Sequence, residues 1–130
     1  CIYATAPFAN PEDLKRAFKL IEKQKKDRFI FTATNFTFPI QRAVKINKSG
    51  ISSMFYPDEF NIRSQDLEDA YHDAGQFYIA KPDIWINQEN LFEDSMPVLL
   101  PSWRVQDIDE EDDWIRAEIL HRILENENLN

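Results

Sequence analysis

The run Asn10-Pro11-Glu12-Asp13 constrains this chain most. It offers a side-chain acceptor for a helix N-cap, a proline suited to the first helical position, and two carboxylates where the helix dipole favours negative charge. Leu14, Ala17, Phe18 and Ile21 follow at i, i+3, i+4 and i+7, which predicts one buried stripe on a helix ending near Lys25 or Lys26. Strand-like runs lie on both sides. Cys1-Ile2-Tyr3-Ala4-Thr5 reads as a buried strand, and Arg28-Phe29-Ile30-Phe31-Thr32-Ala33-Thr34 is β-branched and aromatic. Strand, helix, strand in this order argues for a βαβ unit with a parallel sheet.

The middle of the chain changes character. Residues 41–47 and 51–56 flank Asn47-Lys48-Ser49-Gly50, which predicts a β-hairpin that is an insertion rather than part of the sheet core. Residues 65–72 are expected to form a short helix, 76–80 a strand and 82–88 a helical turn or two. Pro97-Val98-Leu99-Leu100-Pro101 is a compact apolar strand bounded by prolines. A last helix is expected from near Asp109, with Trp114, Ala117, Leu120, Ile123 and Leu124 on its inner side and fraying over 126–130.

The 130 residues, 43% hydrophobic, suffice for one packed core, so one domain or one piece of a domain is expected. A formal charge of −8 opposes general binding to nucleic acid or anionic lipid, which call for a basic face. The single Cys1 cannot form an internal disulfide, and no apolar run approaches the roughly 20 residues of a membrane span, so a cytoplasmic location is expected. With only Gly50 and Gly75 in the chain, no glycine-rich phosphate cradle is present. The opening lacks an initiator methionine and reads as the middle of something, so the chain is expected to be a fragment.

Several residues could carry chemistry. In Asp107-Ile108-Asp109, alternating residues at a strand end would aim both carboxylates at one hard cation, with magnesium the natural candidate. The same acidic run, with Asp109 as cap, is also what an ordinary helix N-terminus looks like. Arg63 and Gln65 join a fixed cation to an amide and could grip a substrate carboxylate, while a surface salt bridge from Arg63 to Asp66 or Glu68 explains the run equally well. Gln41, Arg42 and Lys45 add polar donors beside Phe36, Phe38 and Pro39, a mixture found in sugar sites and in subunit contacts. Neither His72 nor His121 has a nearby serine or cysteine for a triad, and one cysteine with two distant histidines argues against zinc.

Taken together, Tyr3-Ala4-Thr5-Ala6-Pro7-Phe8, Phe38-Pro39-Ile40-Gln41-Arg42-Ala43, Arg63-Ser64-Gln65-Asp66-Leu67, Tyr71-His72-Asp73-Ala74-Gly75-Gln76-Phe77-Tyr78 and Arg104-Val105-Gln106-Asp107-Ile108-Asp109 resemble successive blocks of the acylneuraminate cytidylyltransferase family. The second and fourth blocks are most similar to its pseudaminic acid branch. The resemblance implies an α/β, Rossmann-like three-layer sandwich, a homodimer, and an inserted hairpin element over 39–71 serving dimerisation and the sugar site. It implies transfer of CMP from CTP to a nine-carbon nonulosonic acid, releasing pyrophosphate. By the same resemblance Asp107 and Asp109 bind Mg2+ and Arg63 and Gln65 lie near the sugar; Gln41 and Arg42, as polar donors, are expected to contact substrate. Tyr3 stands where many relatives carry a glutamine that contacts the sugar, and Glu110 where a threonine is common. The family's N-terminal CTP-holding loop has no counterpart here, so the chain is expected to be a C-terminal portion, inactive alone.

Two rivals stand beside this reading. A synthetase for N-acetylneuraminic or legionaminic acid would share the aspartates and differ in sugar contacts. A non-catalytic dimerisation module would bind no CTP.

Overall fold

A computed structural model describes residues 1–88 and 90–127, with side chains up to 125 in the last helix. The chain divides into two units, one of residues 1–34 and 73–130, the other Asn35–His72.

The first unit is built on a sheet and helices. Helix α1 spans Pro11–Lys23, and its cap is the one expected: the Asn10 side chain accepts from the Asp13 N–H at 3.0 Å, with Pro11 opening the helix. The helix stops at Lys23, short of Lys25, because Gln24 turns to an extended conformation while its N–H still reaches the Leu20 carbonyl. Ala17 is fully buried and Leu14, Leu20 and Ile21 pack on the core, whereas Phe18, expected in the stripe, is 56% exposed. Its place on the flank of the helix points it away from the sheet.

Strand β1 covers Ile30–Asn35, as the β-branched run predicts. The short strands β2 (Val44–Ile46) and β3 (Ser52–Met54) belong to the second unit. Strand β4 is Tyr71–Ile79, helix α2 is Pro82–Asn87, and β5 is Met96–Leu99. The sheet order is β4-β1-β5, and β1 runs parallel to β5 with Ile30 opposite Met96 and Thr32 opposite Val98. Ile30, Phe77, Val98, Leu100, Ala74 and Ala17 form the core between sheet and α1. Each large side chain among them contributes roughly 1.5–3 kcal/mol by leaving water.

Three expectations are corrected. Residues 1–5 are not a buried strand: Ile2 and Tyr3 are exposed, and the segment makes a single antiparallel bridge, Ile2 to Phe77, on the edge of β4. An apolar run satisfies its backbone equally well at an edge as inside a sheet, so composition did not separate the two. Residues 65–72 are not a helix. A 3-10 turn at Ser64–Asp66 is followed by residues 67–70 without regular structure and then by the nine-residue β4, whose β-branched-poor start hides its strand character. In α3, Glu111–Glu127, Ala117 and Leu124 are buried and Leu120 half-buried, but Trp114 and Ile123 are 57% and 46% exposed. Helical order persists through Glu127, and the rest of the expected frayed tail, 128–130, lies outside the described residues.

The second unit is organised by the predicted hairpin. β2 and β3 pair antiparallel, Val44 opposite Met54 and Ile46 opposite Ser52. Asn47 makes the turn: its side-chain oxygen accepts from the N–H groups of Ser49 and Ile51, and its carbonyl from Gly50, which sits at φ +79°. That left-handed conformation favours glycine.

Candidate active site

Residues 105–110 join a 3-10 turn, Ser102–Arg104, to α3 without regular structure. The expectation that Asp107 and Asp109 alternate along a strand end is therefore corrected; something other than strand periodicity places them. Arg104 donates to the buried Asp13 carboxylate at 2.6 Å, both side chains nearly shut off from solvent. The amide of Gln76, on β4, donates to the Arg104 carbonyl at 3.0 Å. Gln106 donates to the Asp107 carbonyl at 2.7 Å and to Asp113 Oδ1 at 3.0 Å. Asp113 Oδ2 accepts from the N–H groups of Asp109 and Glu110 at 3.3 and 3.2 Å.

The cap of α3 is thus Asp113 reaching back from inside the first turn, with the Asp109 backbone, not its carboxylate, involved. Those two N–H groups, and then the Gln106 amide, hold the Asp113 carboxyl below the usual aspartate range.

Asp107 is half-buried, and its Oδ1 accepts from the Ile108 N–H at 3.0 Å. Its Oδ2 lies 3.1 Å from the point a Cβ at residue 75 would occupy. Residue 75 is glycine, at φ +61°, inside β4. The carboxylate occupies room that any side chain there would take. On the same strand Asp73 Oδ1 accepts from the Gly75 N–H at 3.0 Å, and its other oxygen accepts from the Tyr78 hydroxyl. Burial first, then the Asp73 carboxylate, raises the Tyr78 hydroxyl above its ordinary range. The Tyr3 ring packs at 5.1 Å on that of Tyr78, and the Tyr3 N–H donates to the Gln76 carbonyl. Tyr3 and Asp107 are thereby tied to neighbouring residues of one strand, while Asp109 stays exposed beyond them.

The other expected site residues belong to the second unit. Gln41 is 9% exposed and donates to the Glu68 carbonyl. The Arg42 guanidinium donates to the carbonyls of Glu59, Phe60 and Ile62 and so holds the turn around Pro57–Glu59 in place. Arg63 is exposed and pairs with Asp66 at 2.7 Å, the salt bridge weighed against a ligand role. Gln65 is exposed on the 3-10 turn. A 120 Å3 hollow in this unit is lined by Phe36, Phe38, Pro39, Ser64 and Leu67, among others.

The donor chemistry at Asp107 and Asp109 fits a hard divalent cation. Mg2+ commonly takes one or two carboxylates and completes its shell with water and phosphate oxygens. Among the described residues no group of three or more His, Cys, Asp or Glu side chains gathers to cage a metal. Of the two aspartates, Asp107 is half-buried and accepts from the backbone, while Asp109 is exposed. Sequence reasoning missed Asp13, Asp73, Gly75, Gln76, Tyr78 and Arg104. One signal was available: Gly75 is one of two glycines, and glycine within a strand marks a close approach.

These elements define a mixed α/β protein with a parallel strand pair and a carboxylate held at the side of the sheet. No family model matches the chain. Two proteins named pseudaminic acid cytidylyltransferase, from Campylobacter jejuni serotypes O:2 and O:23/36, are each 42% identical to it over 125 residues, 95% of this chain and 53% of theirs. A Helicobacter pylori protein named as both pseudaminic acid cytidylyltransferase and UDP-2,4-diacetamido-2,4,6-trideoxy-beta-L-altropyranose hydrolase is 29% identical over 109 residues, 83% of this chain and 21% of its own. The chain spans about half the length of the Campylobacter relatives it matches. This similarity to proteins so named bears out the resemblance carried by the sequence blocks.

Proposed function

We propose that this chain is part of a cytoplasmic nucleotidyltransferase that transfers CMP from CTP to a nonulosonic acid, pseudaminic acid in particular. The observation that carries this reading is the 42% identity extending over 95% of the chain. The fold it implies is a Rossmann-like sandwich, and the β1–β5 parallel pair supports that. No helix among the described residues is long and apolar enough to cross a membrane.

In this reading Asp107 and Asp109 hold Mg2+. A bound Mg2+ would neutralise the charge that builds on the phosphates as pyrophosphate leaves. The chain's own contribution is to keep Asp107 fixed against Gly75, so that the carboxylate need not reorganise when the nucleotide arrives. Arg63 and Gln65 grip the sugar-acid carboxylate, Arg63 exchanging its Asp66 partner for the substrate. Gln41 and Arg42 shape the segment that carries them, and Tyr3 borders the sugar. The anomeric hydroxyl attacks the α-phosphate of CTP; its oxygen–phosphorus bond forms as the bond to pyrophosphate breaks, and its proton passes to solvent. No covalent enzyme intermediate arises. The hairpin unit, with Val44, Ile46, Ile51 and Phe55 exposed, serves as the contact between two copies.

The test is pyrophosphate release from CTP with pseudaminic, legionaminic and N-acetylneuraminic acids. It is run on this chain alone and on the chain joined to the remaining length of its relatives. Release from the joined form, selective for pseudaminic acid, is expected. Selectivity for another acid would move the substrate, and a folded joined protein inert with all of them would leave only an interaction module.

A further inference from the structure

We propose that Gln76 is a positioning residue for Asp107, kept in the core for that purpose at the expense of stability; the functional half of the inference rests on the metal-site reading above. Gln76 is fully buried, among the largest such side chains in the chain. Its amide nitrogen donates to the Arg104 carbonyl, but its Oε1 is buried with no hydrogen-bond partner among the described residues. A buried amide acceptor without a partner is destabilising, and an apolar side chain of the same shape would remove that penalty. The bond it does make falls on the residue three before Asp107. Arg104 is gripped there twice, its carbonyl by Gln76 and its guanidinium by the buried Asp13. Gln76 also adjoins Gly75, the residue whose missing side chain makes room for the Asp107 carboxylate. Two consecutive residues of β4 therefore set the carboxylate's place, one by having no side chain and the next by anchoring the backbone that leads to it.

The variant is Gln76→Met, similar in volume and without the donor. Its melting temperature is expected to equal or exceed that of the parent. Amide hydrogen exchange at Arg104, Val105 and Ile108 is expected to become roughly tenfold faster, the order of one lost hydrogen bond. Mn2+, used as a paramagnetic probe, is expected to broaden the Asp107 signals in the parent and to bind about tenfold to a hundredfold more weakly in the variant, as when partners behind a metal ligand are removed. A folded variant with unchanged exchange at those amides overturns the positioning role, whatever Mn2+ does. Faster exchange with no Mn2+ effect at Asp107 in the parent upholds positioning and sinks the metal reading instead. If the variant fails to fold, the claim that Gln76 is held at the expense of stability is refuted.

Discussion

The Asp107 carboxylate stands 3.1 Å from where a Cβ on residue 75 would lie, and residue 75 is a glycine at φ +61°. Backbone conformation and free space thus both demand glycine at this point of β4. Gly75→Ala is expected to destabilise the chain by about 1–2 kcal/mol from the left-handed backbone alone, with a further loss as Asp107 is displaced. Urea unfolding measures the first. A crystal structure of the variant, or the chemical shifts of Asp107, measures the second.

Asp13 and Arg104, 91 positions apart, form the most buried ion pair described. Removing one partner leaves an uncompensated buried charge, so Asp13→Ala is expected to cost roughly 3–5 kcal/mol. Asp13→Ala with Arg104→Met is expected to recover much of that loss, because no charge is then stranded. The double-mutant cycle by urea unfolding checks both figures.

This part of the molecule was poorly legible from sequence. The capped helix from Pro11, the hairpin around Asn47, β1 and the proline-bounded β5 were readable because each signal is local: a cap, a turn residue, a short apolar run. β4 was readable only in part: a strand was expected over 76–80, but its start at Tyr71 was read as helix, since Gly75 reads as a breaker until Asp107, 32 positions on, explains it. Asp107 and Asp109 were singled out by their spacing and by resemblance, yet Gln76, Asp13 and Arg104 carry no local mark of their task. Their pairing exists only once the sheet brings β4 under residues 104–107.

The pH dependence of α3 follows from Asp113. Its folded pKa is depressed below the ordinary 3.8 by the Asp109 and Glu110 N–H groups, so its contribution is present above 3.8 and is lost as pH falls through the lower folded value. Asp113→Asn is expected to flatten that acid limb of the melting temperature against pH. An unchanged limb would place the acid sensitivity in other carboxylates.

Tyr78 governs the alkaline side. Its folded pKa is raised above 10.0, so stability is intact below that value and declines as pH rises past it, when the unfolded chain alone ionises. Ultraviolet titration is expected to show one tyrosine resisting ionisation at pH 10.0, and Asp73→Asn is expected to ease its ionisation by removing the carboxylate beside it.

The measurement closest to the central claim is magnesium-dependent pyrophosphate release from CTP and pseudaminic acid by the chain joined to the remaining length of its relatives, with and without Asp107→Ala. The account predicts release by the parent and a fall on the order of a hundredfold or more in the variant, the loss of a few kcal/mol of transition-state stabilisation, with folding retained. A folded Asp107→Ala protein that releases pyrophosphate at the parent rate would contradict it.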